Sequence, residues 1–336
     1  MSTRRKIAFA TAGVIVLTLI ATLFGYGPFA SQDFTGSGSE QVTVRVHPGD
    51  SLSAIGRALN KAGVVKSVRY FVNRNASDSR AQRIQPGFYV MFSKMASVRA
   101  FNRFFDPRAR LRTKVLVPDG ARATAIVERL SERTGIPIDD FNAAISRALL
   151  PAYAKGNIEG FLWPATYFFD PDATAGSIIN ELVTTAVREH RRLNIASATT
   201  QLAAREVLTL ASIIQVEAYP KDYAKVSRVV YNRIARGQRL QMDSTLNYAL
   251  GTAKWTFTAA EHRDPSPYNT FMHDGLPIGP IGNPGAKAIV AALNPAPGPW
   301  LFFVTTNPDT GLTEFATTGA EFTVLRHKFR QWLATK

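Results

Sequence analysis

The sequence predicts an α+β protein with an N-terminal transmembrane helix, small βα lobes and a C-terminal mixed α/β lobe. Three observations carry that expectation. Residues 7–26 run for 20 positions without a charge, enough to span a bilayer. A strand, Gly turn and helix pattern at 42–59 returns 71 residues later. The last third then changes texture: two helical stretches are followed by a segment dense in Gly, Pro and Asn from 237 to 299.

Arg4, Arg5 and Lys6 precede the apolar run, so residues 1–6 should stay cytoplasmic and 7–26 should anchor the chain in the cell membrane. A cleaved signal peptide is the alternative, with Ser31 following Phe29-Ala30, although the run is longer than a signal core. Either reading puts the body outside the cytoplasm, which argues against nucleic acid and nucleotide cofactors. Residues 27–40 read as a linker, polar and Gly/Ser-rich over 31–40. The chain has no cysteine, so neither disulfides nor thiolate chemistry enter.

A first lobe is expected over 41–110. Val42, Val44 and Val46 alternate with polar residues as in a strand, Pro48-Gly49-Asp50 makes a turn, and Ser51 can cap a helix carrying Leu52, Ile55 and Leu59. A strand at 87–91 and a helix at 96–105 follow. A second lobe and junction is expected over 111–195. There Val115, Val117, Gly120, Ala125-Ile126 and Leu130 repeat Val44, Val46, Gly49, Ala54-Ile55 and Leu59. This is either an internal duplication or two βα units alike by chance. Residues 157–169 are aromatic-rich, either a buried junction or a sugar-stacking surface, and a helix is expected over 173–190. The C-terminal lobe, 196–336, should open with helices at 201–218 and 222–236 and close with a strand at 300–304 and a helix at 322–333.

The 40 Lys and Arg outnumber 25 Asp and Glu, giving a net charge of +15. A basic body suits an anionic partner, or serves solubility alone. No basic motif with interleaved aromatics points to nucleic acid. The five histidines (47, 190, 262, 273 and 327) show no metal-binding spacing. No phosphate-binding glycine loop is present, and Ser37 lies in the linker rather than on a nucleophile turn. No metal or cofactor is therefore expected.

Glu217 stands out. Leu210, Ile213 and Ile214 form an apolar stripe on the 201–218 helix, and Glu217 continues it, four residues after Ile213 and three after Ile214. A carboxyl on a core-facing stripe is desolvated, which raises its pKa and suits it to act as a general acid. The structural alternative is a carboxylate paired with a buried arginine such as Arg233 on the next helix. Around it in sequence lie clusters of neutral hydrogen-bonding groups: Tyr231-Asn232-Arg233, Arg239 to Thr245, Tyr268-Asn269-Thr270 and Gly275 to Ile281. Such groups suit a polyhydroxylated ligand, and each alone could equally be turn chemistry.

Leu210 to Ala218, Val229 to Arg233, Arg239 to Thr245, Tyr268 to Thr270, Gly275 to Ile281 and Asn283-Pro284-Gly285 keep an order that closely resembles the endolytic murein transglycosylase (YceG-like) family. Glu159-Gly-Phe-Leu-Trp163-Pro fits the same family, and His47 to Ile55 looks like the opening of a LysM-type glycan-binding unit. The resemblance implies a LysM-like lobe at 41–110 and a transglycosylase domain at 196–336. Its substrate would be nascent peptidoglycan glycan strands, its neighbours peptidoglycan synthases. It makes Glu217 the catalytic acid and then base, closing a 1,6-anhydro ring on N-acetylmuramic acid. It places Gln215, Asn232, Arg233, Gln241, Asp243, Tyr268, Asn269 and Thr270 among the substrate-binding residues. Two positions depart from the family: Gln215 stands where a second glutamate is usual, and Thr313 stands before Glu314-Phe315 where a histidine is common. Two competing readings stay open: a hydrolytic muramidase with Asp243 as second carboxylate, and a non-catalytic wall-binding scaffold.

Overall fold

The computed structural model describes residues 33–196 and 201–335. They fall into two compact units, divided between Thr113 and Lys114. The expected membrane helix at 7–26 lies outside the described residues. Among the described residues no helix is long and apolar enough to cross a membrane.

In the first unit, β1 (Gln41–Val46) leads through α1 (Leu52–Lys61) and α2 (Val68–Asn75) to β2 (Gly87–Phe92), and α3 (Ser97–Arg103) precedes the short β3 (Arg110–Leu111). The sheet order is β1-β2-β3, both pairings antiparallel, with Val44 opposite Tyr89. The alternation of β1 buries Val44 and Val46 and turns Thr43 and Arg45 outward. Ser51 and Ser67 cap α1 and α2 by accepting the amides of Ala54 and Tyr70. Ile55, Leu59, Phe71, Met91 and Phe101 close a core in which Tyr89 packs edge-on against Phe104 at 4.9 Å.

The second unit begins with the same plan. β4 (Thr113–Val117), α4 (Ala123–Thr134), α5 (Ile138–Ser146) and β5 (Ala165–Phe169) repeat the β-α-α-β order, and β4 and β5 form a two-stranded sheet. The equivalences extend beyond the residues that first suggest them. Val115, Val117, Ile126 and Leu130 are buried like their counterparts. Gly49 and Gly120 share a left-handed φ of +81° and +80°. In each copy the second strand carries a buried tyrosine that donates to the carbonyl four residues earlier: Tyr89 to Gln85 at 2.7 Å, Tyr167 to Trp163 at 2.8 Å.

α6 (Ala175–Arg192) completes the core of this copy. A second core gathers around α7 (Ala204–Glu217), with α8 (Tyr223–Ala235) packed against it. The segment 237–299 is less irregular than its Gly/Pro content suggests. It contains α9 (Asp243–Ala249) and α10 (Ala286–Leu293), and α10 lies against α7. Both helices are too short to show a period, and Asn283-Pro284-Gly285 masks the start of α10. The expected strand at 300–304 is β6 (Phe302–Asn307), paired antiparallel with β7 (Leu312–Ala316), and α11 (Gly319–Leu333) closes the chain.

Candidate active site

Sequence periodicity places Glu217 on a stripe; the structure places it at the end of a helix buried all round. Every residue of α7 from Val207 to Ile214 is buried. Glu217 is the last helical residue, half-buried, and it emerges into a cavity of about 670 Å³. Asp243, Ser244, Asn247 and Trp255 line one part of that cavity, and Tyr219, Phe303 and Thr305 another.

Burial pushes the Glu217 carboxyl above the ordinary glutamate range. Hydrogen bonding from Ser244 opposes the shift, the Ser244 amide donating to Oε1 at 3.2 Å, while the charge of Asp243 adds to it. The C-terminal end of α7 acts in the same upward direction, because its unpaired carbonyls disfavour a carboxylate. The Asp243 carboxyl is also raised by burial, with His262 opposing. Chemically, this is a carboxyl with a raised proton affinity, held by a backbone amide at the wall of a cavity with few charges.

Arg233 is not the partner of Glu217. Its guanidinium is buried and donates to three carbonyls: Leu301 at 2.6 Å, Leu240 at 2.7 Å and Arg239 at 3.1 Å. Asn232 donates to the carbonyls of Gly298 and Trp300. Asn269 is fully buried and donates to the carbonyls of Asp264 and His262. The Thr270 hydroxyl accepts the Met242 amide and bonds to Thr245. Gln215 donates to the Tyr223 hydroxyl at 2.7 Å and accepts the Gly285 amide at 3.1 Å. Tyr268 accepts from Asn157 and packs on Tyr248. Gln241 is exposed, at a left-handed φ of +49°, its amide donating to the Thr270 carbonyl. Of the residues singled out from sequence, Glu217 and Asp243 meet in the cavity. The polar side chains of the others chiefly hold the loops that shape it. Thr313 bonds to Thr305, which lines the cavity.

Asn247, Trp255, Tyr219, Phe303 and Thr305 are cavity residues that sequence reasoning missed. Trp255 lies in a stretch without periodicity, and its only signal was an aromatic residue in a polar loop.

The sequence model of the YceG-like family matches residues 44–328. The endolytic murein transglycosylase of Bacillus subtilis is 28% identical over 308 residues, 85% of this chain and 84% of that protein. That of Streptococcus pneumoniae is 25% identical over 339 residues, 88% of this chain and 61% of the longer relative. The crystal structure of a YceG-like protein from Listeria monocytogenes superposes with a TM-score of 0.57 at 28% identity, over 86% of this chain and all of that one. With that family's model spanning most of its length, the chain belongs to the YceG-like family.

Proposed function

We propose that the chain is an endolytic murein transglycosylase that cleaves the β-1,4 bond between N-acetylmuramic acid and N-acetylglucosamine in peptidoglycan strands. The observation that carries this reading is Glu217, with a raised pKa, at the wall of the 670 Å³ cavity. Its protonated carboxyl donates to the glycosidic oxygen as the C1–O bond breaks. The resulting carboxylate then takes the proton of the muramoyl C6 hydroxyl as that oxygen closes on C1. The products are a 1,6-anhydro end and a free 4-hydroxyl, no water is consumed, and Glu217 ends protonated as it began. One carboxyl serves both proton transfers. Asp243 faces the sugar in the same cavity. Asn232, Arg233, Asn269 and Thr270 act at one remove, by holding backbone.

The first unit is read as a LysM-like glycan-binding lobe. Supporting this are its β-α-α-β order and its charge: residues 33–113 carry fourteen Arg and Lys against five Asp and Glu, which suits an anionic wall polymer. With residues 7–26 as anchor, the enzyme would act on strands at the outer face of the membrane, beside the synthases that make them.

Asp243 keeps a muramidase reading in view, since it shares the cavity with Glu217. Mass spectrometry of digested glycan strands separates the two. Anhydro ends are expected from the wild type, and a drop of 10²-fold or more in Glu217→Gln. Reducing ends, lost in Asp243→Asn, would transfer the chain to the hydrolases.

A further inference from the structure

Trp255 stands at the cavity with 71% of its surface exposed. An indole left this open offers a flat apolar face to a ligand in the cavity. Its position is nevertheless fixed from two sides. Asn247, on α9, grips the preceding residue at both backbone groups: its Oδ1 accepts the Lys254 amide at 2.7 Å and its Nδ2 donates to the Lys254 carbonyl at 2.9 Å. Lys254 pairs with Glu261, which in turn accepts the Thr258 amide and hydroxyl. Behind the indole, Phe329 stacks on it with centroids 6.5 Å apart and planes at 29°, and Trp332 stacks on Phe329 at 5.8 Å. One face of Trp255 is backed by this column, and Asn247 ties its loop to α9, the helix whose Ser244 amide holds Glu217.

We propose that Trp255 is a sugar-stacking platform, seating the apolar C–H face of one N-acetylhexosamine ring of the glycan strand at a fixed offset from Glu217. The proposal rests on the transglycosylase reading for its substrate. The chemistry is that of a pyranose on an aromatic plane: axial C–H groups pack on the indole while the equatorial hydroxyls stay free for Asp243 and Thr305 around the cavity. Phe329 is the buttress that orients the plane and does not itself touch sugar.

The test uses the full-length chain, Trp255→Ala, Trp255→Phe and Glu217→Gln, with purified peptidoglycan glycan strands. Trp255→Ala is expected to raise KM roughly tenfold with a smaller change in kcat, and Trp255→Phe to recover part of the loss. A melting temperature equal to wild type confirms that the exposed substitution leaves the fold intact. In the Glu217→Gln background, strands should change the tryptophan fluorescence, and the further change Trp255→Phe should remove that response. Cleavage with an unaltered KM and fluorescence response in the Trp255 variants overturns the platform and leaves the enzyme reading standing. Binding without cleavage by the wild type, weakened in Trp255→Ala, supports the platform and overturns the enzyme reading. Neither binding nor cleavage by the wild type overturns both.

Discussion

Glu217 and Glu159 are both carboxyls pushed upward by burial, yet they are surrounded differently. Glu217 opens on the cavity and accepts one amide. Glu159 is enclosed, pushed up to about 7, and receives three donors: the Ala123 amide at 3.0 Å, the Asn283 amide at 2.7 Å and the Tyr248 hydroxyl at 3.1 Å. It joins the start of α4, the loop before α10 and helix α9. Because the folded chain holds this proton more tightly than the unfolded chain, the contribution is full below the ordinary glutamate value of about 4.5 and is lost as pH rises through 7. Relative to Glu159→Gln, wild-type stability should therefore fall by about 3 kcal/mol between pH 4.5 and 7.5, read from denaturation curves at each pH. A flat difference would contradict the buried-carboxyl account. Glu217 was legible from the sequence because helical period carries burial. Asn232 and Arg233 were legible as polar positions but not as backbone clamps, because their acceptors at 298–301 lie more than sixty residues away.

At the scale of elements, the long helices were read to within about three residues at either end: α7 was expected at 201–218 and runs 204–217, α8 was expected at 222–236 and runs 223–235. α9 escaped because seven residues cannot show a period. It is nonetheless the element that joins Glu217 to the Trp255 loop. Arg233 fastens α8 to the start of β6 and to the turn at 239–240, using a fork that a lysine cannot reproduce. Arg233→Lys should cost about 2 kcal/mol in chemical denaturation, with KM for glycan strands unchanged. Unaltered stability with a raised KM would move Arg233 from the scaffold to the substrate.

For the whole molecule, the two β-α-α-β units differ at the same turn. An added Cβ at Gly49 would meet nothing within 4 Å, whereas at Gly120 it would come within 3.0 Å of Gln215 Cγ. The Gly120 amide also donates to the Asn283 carbonyl at 2.7 Å. Since the φ values match, Gly49→Ala should cost only the left-handed strain, about 1 kcal/mol, and Gly120→Ala clearly more, with cleavage reduced as well. Thermal melts of the two variants side by side check this. The repeated β-α order was visible in the spacing of a few Val, Gly and Leu residues, but the difference between the two turns was not, since it depends on a neighbour 95 positions along the chain. Its practical consequence is a choice of handle. A small fluorophore attached at position 49 meets nothing within 4 Å of that Cβ and should leave Glu217 and its cavity undisturbed. The same label at position 120 would push on Gln215, two positions from Glu217, and distort the cavity it was meant to report on.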